Sequence, residues 1–309
     1  MRFERLKSPV GNTWFLHVWH IDGTTFVVGG IGNDGQVIRS DDDGDSWRVT
    51  EWRRTTAHGA WTNVMAKDKQ HGLRQIWGPT KNELFVVGEY GTVLHSEDGG
   101  ESFARLKHPK CDCLFGCVSY RAKLFLSGDA GIRKKAGARF TLVDDSASKD
   151  LARLYVAGDA LFCVGDKATV LKTDDGKTFR RMPLRASTDL YSFASVGGGA
   201  DRVIVGGTRG ALAASNDGGF TWETTTTKDA VRWSGMVVIE PGISDGRVKD
   251  GVRVLALGER GLIAMTEDGG YSWSPVKTPV TTDLWSGVVT KSGNLVVVGK
   301  DGTILRAAL

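Results

Sequence analysis

The side chains with the clearest potential for chemistry form a cysteine cluster, Cys111-Asp-Cys113-Leu-Phe-Gly-Cys117. Thiolates at this spacing could bind zinc with His108 as a fourth ligand, or Cys111 could form a disulfide with Cys113 or Cys117. The spacing is not the CxxC pair that structural zinc sites use, and a buried cysteine in a strand ordinarily packs as a small hydrophobe. Packing is therefore the favoured role. We expect no metal and no cofactor, and a redox role for the three thiols stays open.

Carboxylates are the second candidate group, because glycoside hydrolysis needs two of them facing the sugar, one with a raised pKa. The Asp and Glu side chains of this chain cluster instead in short turns. No serine has the surroundings of a nucleophile elbow, and the run Gly197-Gly198-Gly199 precedes no helix that could hold a phosphate. The sequence therefore shows no catalytic constellation and favours a non-enzymatic protein over an enzyme.

The acidic turns recur at five places, beginning at Ser40, Ser96, Thr173, Ser215 and Thr266. Each places an Asp two residues after that Ser or Thr, followed by a Gly and then an aromatic residue. We expect the Asp to accept hydrogen bonds from backbone N–H groups, the Gly to adopt a conformation closed to other residues, and the ring to enter the core. The residues so assigned are Asp42, Gly44, Trp47, Asp98, Gly100, Phe103, Asp175, Phe179, Asp217, Gly219, Trp222, Asp268, Gly270 and Trp273.

A short apolar run ending in Gly lies upstream of each turn, and two more such runs, Leu124–Gly128 and Leu295–Gly299, lack the turn. Their length and their β-branched and aromatic content predict buried strands rather than helices. A further strand precedes each run, at residues 16–19, 73–77, 114–117, 151–155, 190–193, 232–235 and 284–287. The repeat predicts an all-β fold, a single seven-bladed β-propeller of four-stranded antiparallel blades.

The chain ends indicate how the ring closes. The last repeat stops after its third strand, at residues 303–309, whereas residues 3–9 nearly copy residues 103–109, which follow the second turn. Pairing of residues 1–9 with 303–309 would complete the last blade and remove an exposed sheet edge. We therefore expect residues 1–309 to form a single propeller domain, interrupted by insertions at residues 52–72 and 240–251.

The repeated turn resembles the Asp-box, or BNR repeat, of sialidases, xyloglucan hydrolases, sortilin-type receptors and photosystem II assembly factors. The whole chain is similar to the seven-bladed photosystem II assembly factors and the bacterial BNR-repeat proteins akin to them. The resemblance implies that the turn is structural and lies away from the binding face. It also implies a protein that holds partner polypeptides without catalysis, through a basic surface.

Sialidases also carry three arginines around the substrate carboxylate, a Tyr–Glu nucleophile pair and an Arg-Ile-Pro motif. Arg74, Arg153 and Arg232 could project toward the mouth of the central channel. Tyr155 and Tyr191, however, have no Glu at the required positions, and the Arg-Ile-Pro motif is missing. The sequence therefore does not support sialidase activity.

Aromatic and arginine side chains at a concave rim suit a protein or glycan contact, and strand alternation turns about half of them inward. The alternative for each aromatic residue is packing between neighbouring blades. The candidates for partner binding are His17, Arg74, Trp77, Arg153, Tyr191, Trp233 and Trp285 at the channel, and Arg53, Arg54 and Trp61 in the first insertion.

Charge and hydropathy narrow the classes of partner. Forty Lys and Arg against 36 Asp and Glu give a net charge of +4 over 309 residues, and the basic residues are scattered among acidic turns, so a nucleic-acid partner is not favoured. No apolar segment has the length of a signal peptide or a membrane span, so we expect a cytoplasmic protein.

These observations favour a non-enzymatic protein-binding or assembly scaffold. The alternatives are a glycan-binding or glycoside-hydrolase-like protein, and a structural component of a secretion or toxin-associated assembly.

Overall fold

The apolar runs that end in glycine all form strands, and each is an interior strand of a four-stranded antiparallel sheet. The computed structural model describes residues 1–30, 35–50, 53–55, 61–63, 72–106, 111–129, 131–145, 150–239, 243–244, 247–248 and 251–309. For 53–55, 61–63, 243–244 and 247–248 only the backbone is described. Seven four-stranded sheets, here called blades 1 to 7, make up the predicted propeller.

The strands of each blade are given from the channel outward. Blade 1 comprises Phe15–Ile21, Thr24–Gly29, Gln36–Ser40 and Arg48–Val49, and blade 2 comprises Leu73–Trp77, Leu84–Gly88, Thr92–Ser96 and Ala104–Arg105. Blade 3 comprises Leu114–Tyr120, Lys123–Gly128, Gly131–Ala136 and Arg139–Asp144, and blade 4 comprises Leu151–Ala157, Ala160–Gly165, Thr169–Thr173 and Arg180–Arg181. Blade 5 comprises Leu190–Ser195, Val203–Gly207, Ala211–Ser215 and Glu223–Thr226, and blade 6 comprises Trp233–Ile239, Arg253–Gly258, Ile263–Thr266 and Ser274–Val276. Blade 7 comprises Leu284–Val289, Asn294–Gly299, Ile304–Ala308 and Glu4–Arg5.

The ring closes at blade 7, whose fourth strand comes from the N-terminus as predicted. The first strands contact one another in order round the ring, and that of blade 7 contacts that of blade 1. Glu4 pairs with Arg306 and Arg5 with Leu305. The Arg306 Nε also donates to Glu4 Oε1 at 2.7 Å, and the Leu6 N–H donates to the Ile304 carbonyl at 2.8 Å. Both chain ends are therefore fixed in one sheet.

The hydrophobic core lies between the blades. Each apolar cluster combines residues of two successive blades with one aromatic ring from the start of a fourth strand. These rings are Phe3, Trp47, Phe103, Phe140, Phe179, Trp222 and Trp273. The sequence analysis assigned five of them; Phe3 and Phe140 were missed because no acidic turn precedes them.

The five acidic turns, called aspartate turns below, join the third and fourth strands of blades 1, 2, 4, 5 and 6. In blade 5, Asp217 accepts from the Ser215 Oγ, the Thr221 N–H and the Thr221 Oγ1 at 2.8, 2.8 and 2.6 Å. The Gly219 N–H donates to the Ser215 Oγ at 2.8 Å, and its φ of +96° is the conformation expected of a glycine there. The turn therefore satisfies its own polar groups.

Cations on the third strands connect successive blades; we call these contacts cation clasps. Arg39 lies over the Phe26 ring at 5.6 Å and donates to the carbonyl of Gly99 in the turn of blade 2 at 2.8 Å. Lys134 and Lys172 repeat the arrangement on blades 3 and 4, donating to the turn carbonyls of the next blade. The clasps therefore hold adjacent blades together at the end of the ring where the aspartate turns lie.

Both insertions contain a small hairpin. Arg53–Thr55 pairs with Trp61–Asn63, and Ile243–Ser244 pairs with Arg247–Val248. The remaining residues of the two insertions lie outside the described part of the chain, except Gly72 and Gly251. No helix in the described part of the chain has the length and apolar character to cross a membrane.

Deletion of residues 1–9 should lower the melting temperature far more than a terminal deletion usually does. The deletion removes the fourth strand of blade 7 and the Phe3 ring, whose loss alone costs about 3–5 kcal/mol. Differential scanning calorimetry measures the effect. Deleting only Met1 and Arg2, both exposed, is the matched control and should change little. Equal melting temperatures for the two deletions would contradict this role for the N-terminal strand.

The aspartate turns should make stability fall in acid. Hydrogen bonds from the Thr221 side chain and backbone lower the pKa of Asp217 to about 2, and those from the Thr178 and Lys177 backbone do the same for Asp175. A carboxyl with a depressed pKa stabilises the fold fully above its unfolded pKa near 3.8, and this contribution is lost as the pH falls toward about 2.

Urea unfolding at neutral pH and near pH 3 tests this in the double variant Asp175→Asn and Asp217→Asn. We expect the variant to be less stable at neutral pH and to lose less stability in acid than the wild type. A variant whose acid loss equals that of the wild type would rule out this origin.

Candidate functional site

Every first strand contains a β-bulge after its first residue. In blade 2, for example, Leu73 pairs with Gly88 and Gln75 pairs with Val87, so Arg74 has no partner on the second strand. A bulge of this kind redirects the side chain of the extra residue. The seven bulge residues are Leu16, Arg74, Phe115, Ala152, Tyr191, Ser234 and Trp285.

All seven bulge residues line one cavity of about 360 Å³, at the end of the channel where the first strands begin. We call this cavity the channel mouth. Trp14, Asp150, Arg153, Asp166 and Arg232 complete its lining. Because strand direction alternates through a blade, the aspartate turns between third and fourth strands lie at the opposite end of the ring. The channel mouth is therefore separate from the repeated turns.

In most blades the residue after the bulge contacts the next blade. The Gln75 Oε1 accepts from the Cys117 N–H at 3.0 Å, and the Ser192 Oγ donates to the Trp233 carbonyl at 3.0 Å. At this position in blade 6 a Cβ on Gly235 would lie 2.5 Å from the Trp285 carbonyl oxygen, so only glycine allows the close approach. In these strands the bulge residue lines the cavity and its neighbour contacts the next blade, whereas in blade 4 the neighbour, Arg153, lines the cavity as well.

Arg153 lines the channel mouth and connects two blades. Its Nη2 donates to the Leu16 carbonyl at 3.2 Å, which connects blade 4 to blade 1 across the channel. His17 is buried beside it, with 8% of its surface exposed. Burial and the positive charge of Arg153 both lower the pKa of His17 well below its ordinary value, so its imidazole is neutral at pH 7.

The other two arginines of the channel mouth are held by acidic neighbours. The Arg74 Nη2 lies 2.6 Å from Glu89 Oε1, and the Arg232 Nε lies 3.9 Å from Glu259 Oε1. Arg232 also stacks over the Tyr191 ring at 5.3 Å. The mouth therefore presents oriented guanidinium and aromatic groups of the types that dominate binding energy at protein interfaces.

The structure brings together four of the channel candidates, since Arg74, Arg153, Tyr191 and Trp285 all line the mouth. His17 is buried and is not among the residues that line it. Trp233 is buried between blades 5 and 6 and donates its indole N–H to Thr227 Oγ1 at 3.3 Å.

Trp77 lies at the far end of its strand, against Trp19 at 6.2 Å, away from the channel mouth. The side chains of Arg53, Arg54 and Trp61 lie outside the described part of the chain.

Several lining residues were not singled out from the sequence, namely Trp14, Leu16, Phe115, Asp150, Ala152, Asp166 and Ser234. For Leu16, Phe115, Ala152 and Ser234 the usable signal was position, because each follows the buried first residue of its first strand, whereas Trp14, Asp150 and Asp166 lie outside the first strands. A search restricted to aromatic and charged residues does not find leucine, alanine or serine.

Three of the cysteines, Cys111, Cys117 and Cys163, pack in the core clusters. The four thiols form no disulfide with one another, and Cys117 and Cys163 are fully buried. Burial raises the pKa of Cys111 to about 11 and that of Cys113 to about 12, so these thiols are protonated at neutral pH. Within the described part of the chain, no three His, Cys, Asp or Glu side chains are grouped to hold a metal ion. His108 lies outside that part.

Solved structures with similar architecture include proteins with different activities. YCF48 bound to a D1 peptide aligns with a TM-score of 0.73 and 17% identity over 100% of this chain and 97% of that chain. YCF48 from Cyanidioschyzon merolae aligns with 0.72 and 13%, over 100% and 99%. An inactive virginiamycin B lyase from Staphylococcus aureus with quinupristin aligns with 0.73 and 8%, over 100% and 99%.

At these identities the likeness establishes the propeller fold, and the fold is shared by binding proteins and enzymes. Comparison of the sequence with protein-family models finds no match, and comparison with curated protein sequences finds none either.

His17 should make stability depend on pH. Below the ordinary pKa of 6.5 the unfolded chain binds a proton that the folded chain does not, so stability should fall by up to about 1.4 kcal/mol per pH unit. Chemical unfolding at several pH values between neutral and about pH 5 measures this slope. The His17→Gln variant should flatten it.

His20→Gln is the comparison variant. Burial also lowers the pKa of His20, but Asp43 and Asp22 oppose the effect, so this variant should change the slope less. A His17→Gln variant with the wild-type slope would contradict the assignment.

Proposed function

We propose that the chain is a non-enzymatic propeller that binds a protein partner at the channel mouth. The observation that carries this proposal is the set of seven bulges, which turn one side chain from every blade into one cavity. Such an arrangement orients side chains on rigid strands before a partner arrives, which reduces the entropy cost of binding.

The size and lining of the channel mouth suggest how a partner would engage it. A cavity of about 360 Å³ is large enough for one or two projecting side chains and too small for a folded domain. Tyr191, Trp285 and Arg232 line its wall and belong to the residue types found at binding hot spots. A protein partner would therefore insert a protruding loop or chain end, with the rest of its surface resting on the surrounding loops.

Two further points support the proposal. One protein of similar fold was solved with a bound peptide, so this architecture can hold a polypeptide. The self-contained hydrogen bonding of the aspartate turns is the behaviour that Asp-box repeats have as structural elements, and we assign the five turns to that class. The channel mouth lies at the other end of the ring, away from these turns.

Affinity capture of the tagged protein from its source cells, with mass spectrometry, tests the proposal. We expect a stoichiometric polypeptide that the Tyr191→Ala variant retains at least about thirtyfold more weakly, the effect of losing a hot spot worth about 2 kcal/mol. Phe220→Ala is the matched control, since Phe220 is an exposed aromatic residue of the blade 5 turn, at the opposite end of the ring.

Equal capture by Tyr191→Ala and wild type would overturn this site. Thermal melts of both variants exclude unfolding as the cause of a loss. Recovery of the protein alone, without a polypeptide, would contradict the proposed function.

A glycan ligand is the second candidate, because Asp150 and Asp166 line the same cavity as Tyr191 and Trp285. Carboxylates can accept hydrogen bonds from sugar hydroxyls, and a pair of them is the minimum for glycoside hydrolysis. Binding to a glycan array that is lost in Asp166→Asn would favour this candidate, and turnover of a bound glycoside would identify an enzyme.

A further inference from the structure

Blade 3 differs from its neighbours at the end of the ring opposite the channel mouth. Its third and fourth strands are joined by a tight hairpin in which Ala136 pairs directly with Arg139. Blades 1, 2, 4, 5 and 6 carry an aspartate turn at this place. The shorter hairpin therefore does not extend over blade 2 as the longer turns extend over the blades before them.

A cleft of about 420 Å³ opens between blades 2 and 3 at this position. Trp77, Phe85 and Leu124 provide apolar surface in its lining, and Lys123 and Lys135 lie at its blade 3 side. We call it the blade 2–3 cleft. It lies at the end of the first strands, so it shares no lining residue with the channel mouth.

The other junctions show what the chain places over such a position. At the junction of blades 1 and 2, Glu101 of the turn contacts Arg39 and Arg48 of the preceding blade at 2.8 and 2.7 Å. At the junction of blades 4 and 5, the exposed ring of Phe220 lies over Lys172 and Arg180 at 5.9 and 5.8 Å. The chain itself therefore uses acidic and aromatic side chains against basic ones at these junctions.

The blade 2–3 cleft retains basic groups on its blade 3 side and receives no acidic or aromatic side chain from the Ala136–Arg139 hairpin, while Glu83 of blade 2 also lines it. On the blade 2 side, His95 occupies the position of a clasp cation; its ring stacks on Phe85 at 4.4 Å and its Nε2 lies 3.3 Å from Glu83 Oε1. On the blade 3 side, neither Lys123 nor Lys135 makes an ion pair within the described part of the chain.

We propose that the blade 2–3 cleft is a second docking site, and that its occupant is an acidic polypeptide segment with one aromatic side chain. The aromatic ring would lie against Trp77 and Leu124, and flanking carboxylates would pair with Lys123 and Lys135. This occupant repeats the chemistry that Glu101 and Phe220 supply at the intact junctions. The proposal does not rest on the function proposed for the channel mouth.

Fluorescence anisotropy with labelled peptides tests the proposal on the full chain. The probe is a short peptide of glutamates with one central tryptophan. Two comparison peptides carry alanine in place of the tryptophan, or lysines in place of the glutamates. We expect the probe to bind about tenfold more tightly than the alanine peptide, a difference of about 1.4 kcal/mol, and the lysine peptide not to bind.

Charge reversal by Lys123→Glu and Lys135→Glu should abolish binding of the probe. Lys291→Glu is the matched control, because Lys291 is exposed and lies between the first and second strands of blade 7, close to the position that the exposed Lys123 takes at the start of the second strand of blade 3. The Ser119→Phe variant fills the cleft without changing its charge and should also block the probe, whereas Tyr191→Ala should not.

Three results would overturn the proposal. The first is no binding of the probe to the wild type, and the second is unchanged binding to the doubly reversed or filled variants. The third is equal binding of the alanine peptide or of a single-stranded oligonucleotide, which would show a general anion-binding surface in place of a site for a polypeptide. Circular dichroism and thermal melts of each variant exclude misfolding.

Discussion

The burial of apolar surface between blades is the interaction on which the rest of the structure depends. No blade buries its own faces, because every core cluster takes side chains from two successive sheets. An open array would therefore leave an exposed apolar face and an unpaired strand edge at each end. Closure of the ring removes both, and the strand Glu4–Arg5 and the ring of Phe3 complete the last junction. Folding of each blade is in this way coupled to that of its neighbours.

The two ends of the ring also differ. At one end the aspartate turns and cation clasps use their polar groups on one another, and blade 3, which has no aspartate turn, interrupts this pattern. At the other end the bulges direct side chains into the channel mouth. Rigid strands with variable side chains at one end are a common basis for binding sites, because the scaffold fixes positions that loops alone cannot.

Most of the fold was predictable from the sequence, and most of the site was not, for a physical reason. Strands and aspartate turns depend on local patterns: β-branched runs, and an Asp followed at fixed spacing by Gly and an aromatic residue. The orientation of a side chain in the first strands depends on the bulge, which shifts the alternation by one residue. Trp233 is buried between blades and the adjacent Ser234 faces the cavity, although residue type alone suggests the reverse. The bulge is visible only in the pairing with the second strand.

The rings of Phe3 and Phe140 were likewise missed because their positions are defined by the sheet rather than by a preceding turn.

The bulges also have a consequence for how a propeller of this kind can change its ligand. Each blade contributes its bulge residue to the channel mouth, and the residue before the bulge is buried in the core. A substitution at a bulge position therefore alters the cavity and leaves the buried first residue of the strand in place. Leucine, arginine, phenylalanine, alanine, tyrosine, serine and tryptophan already occupy the seven positions. The ring thus separates the residues under selection for folding from those under selection for recognition, so new specificities can arise one blade at a time on an unchanged framework.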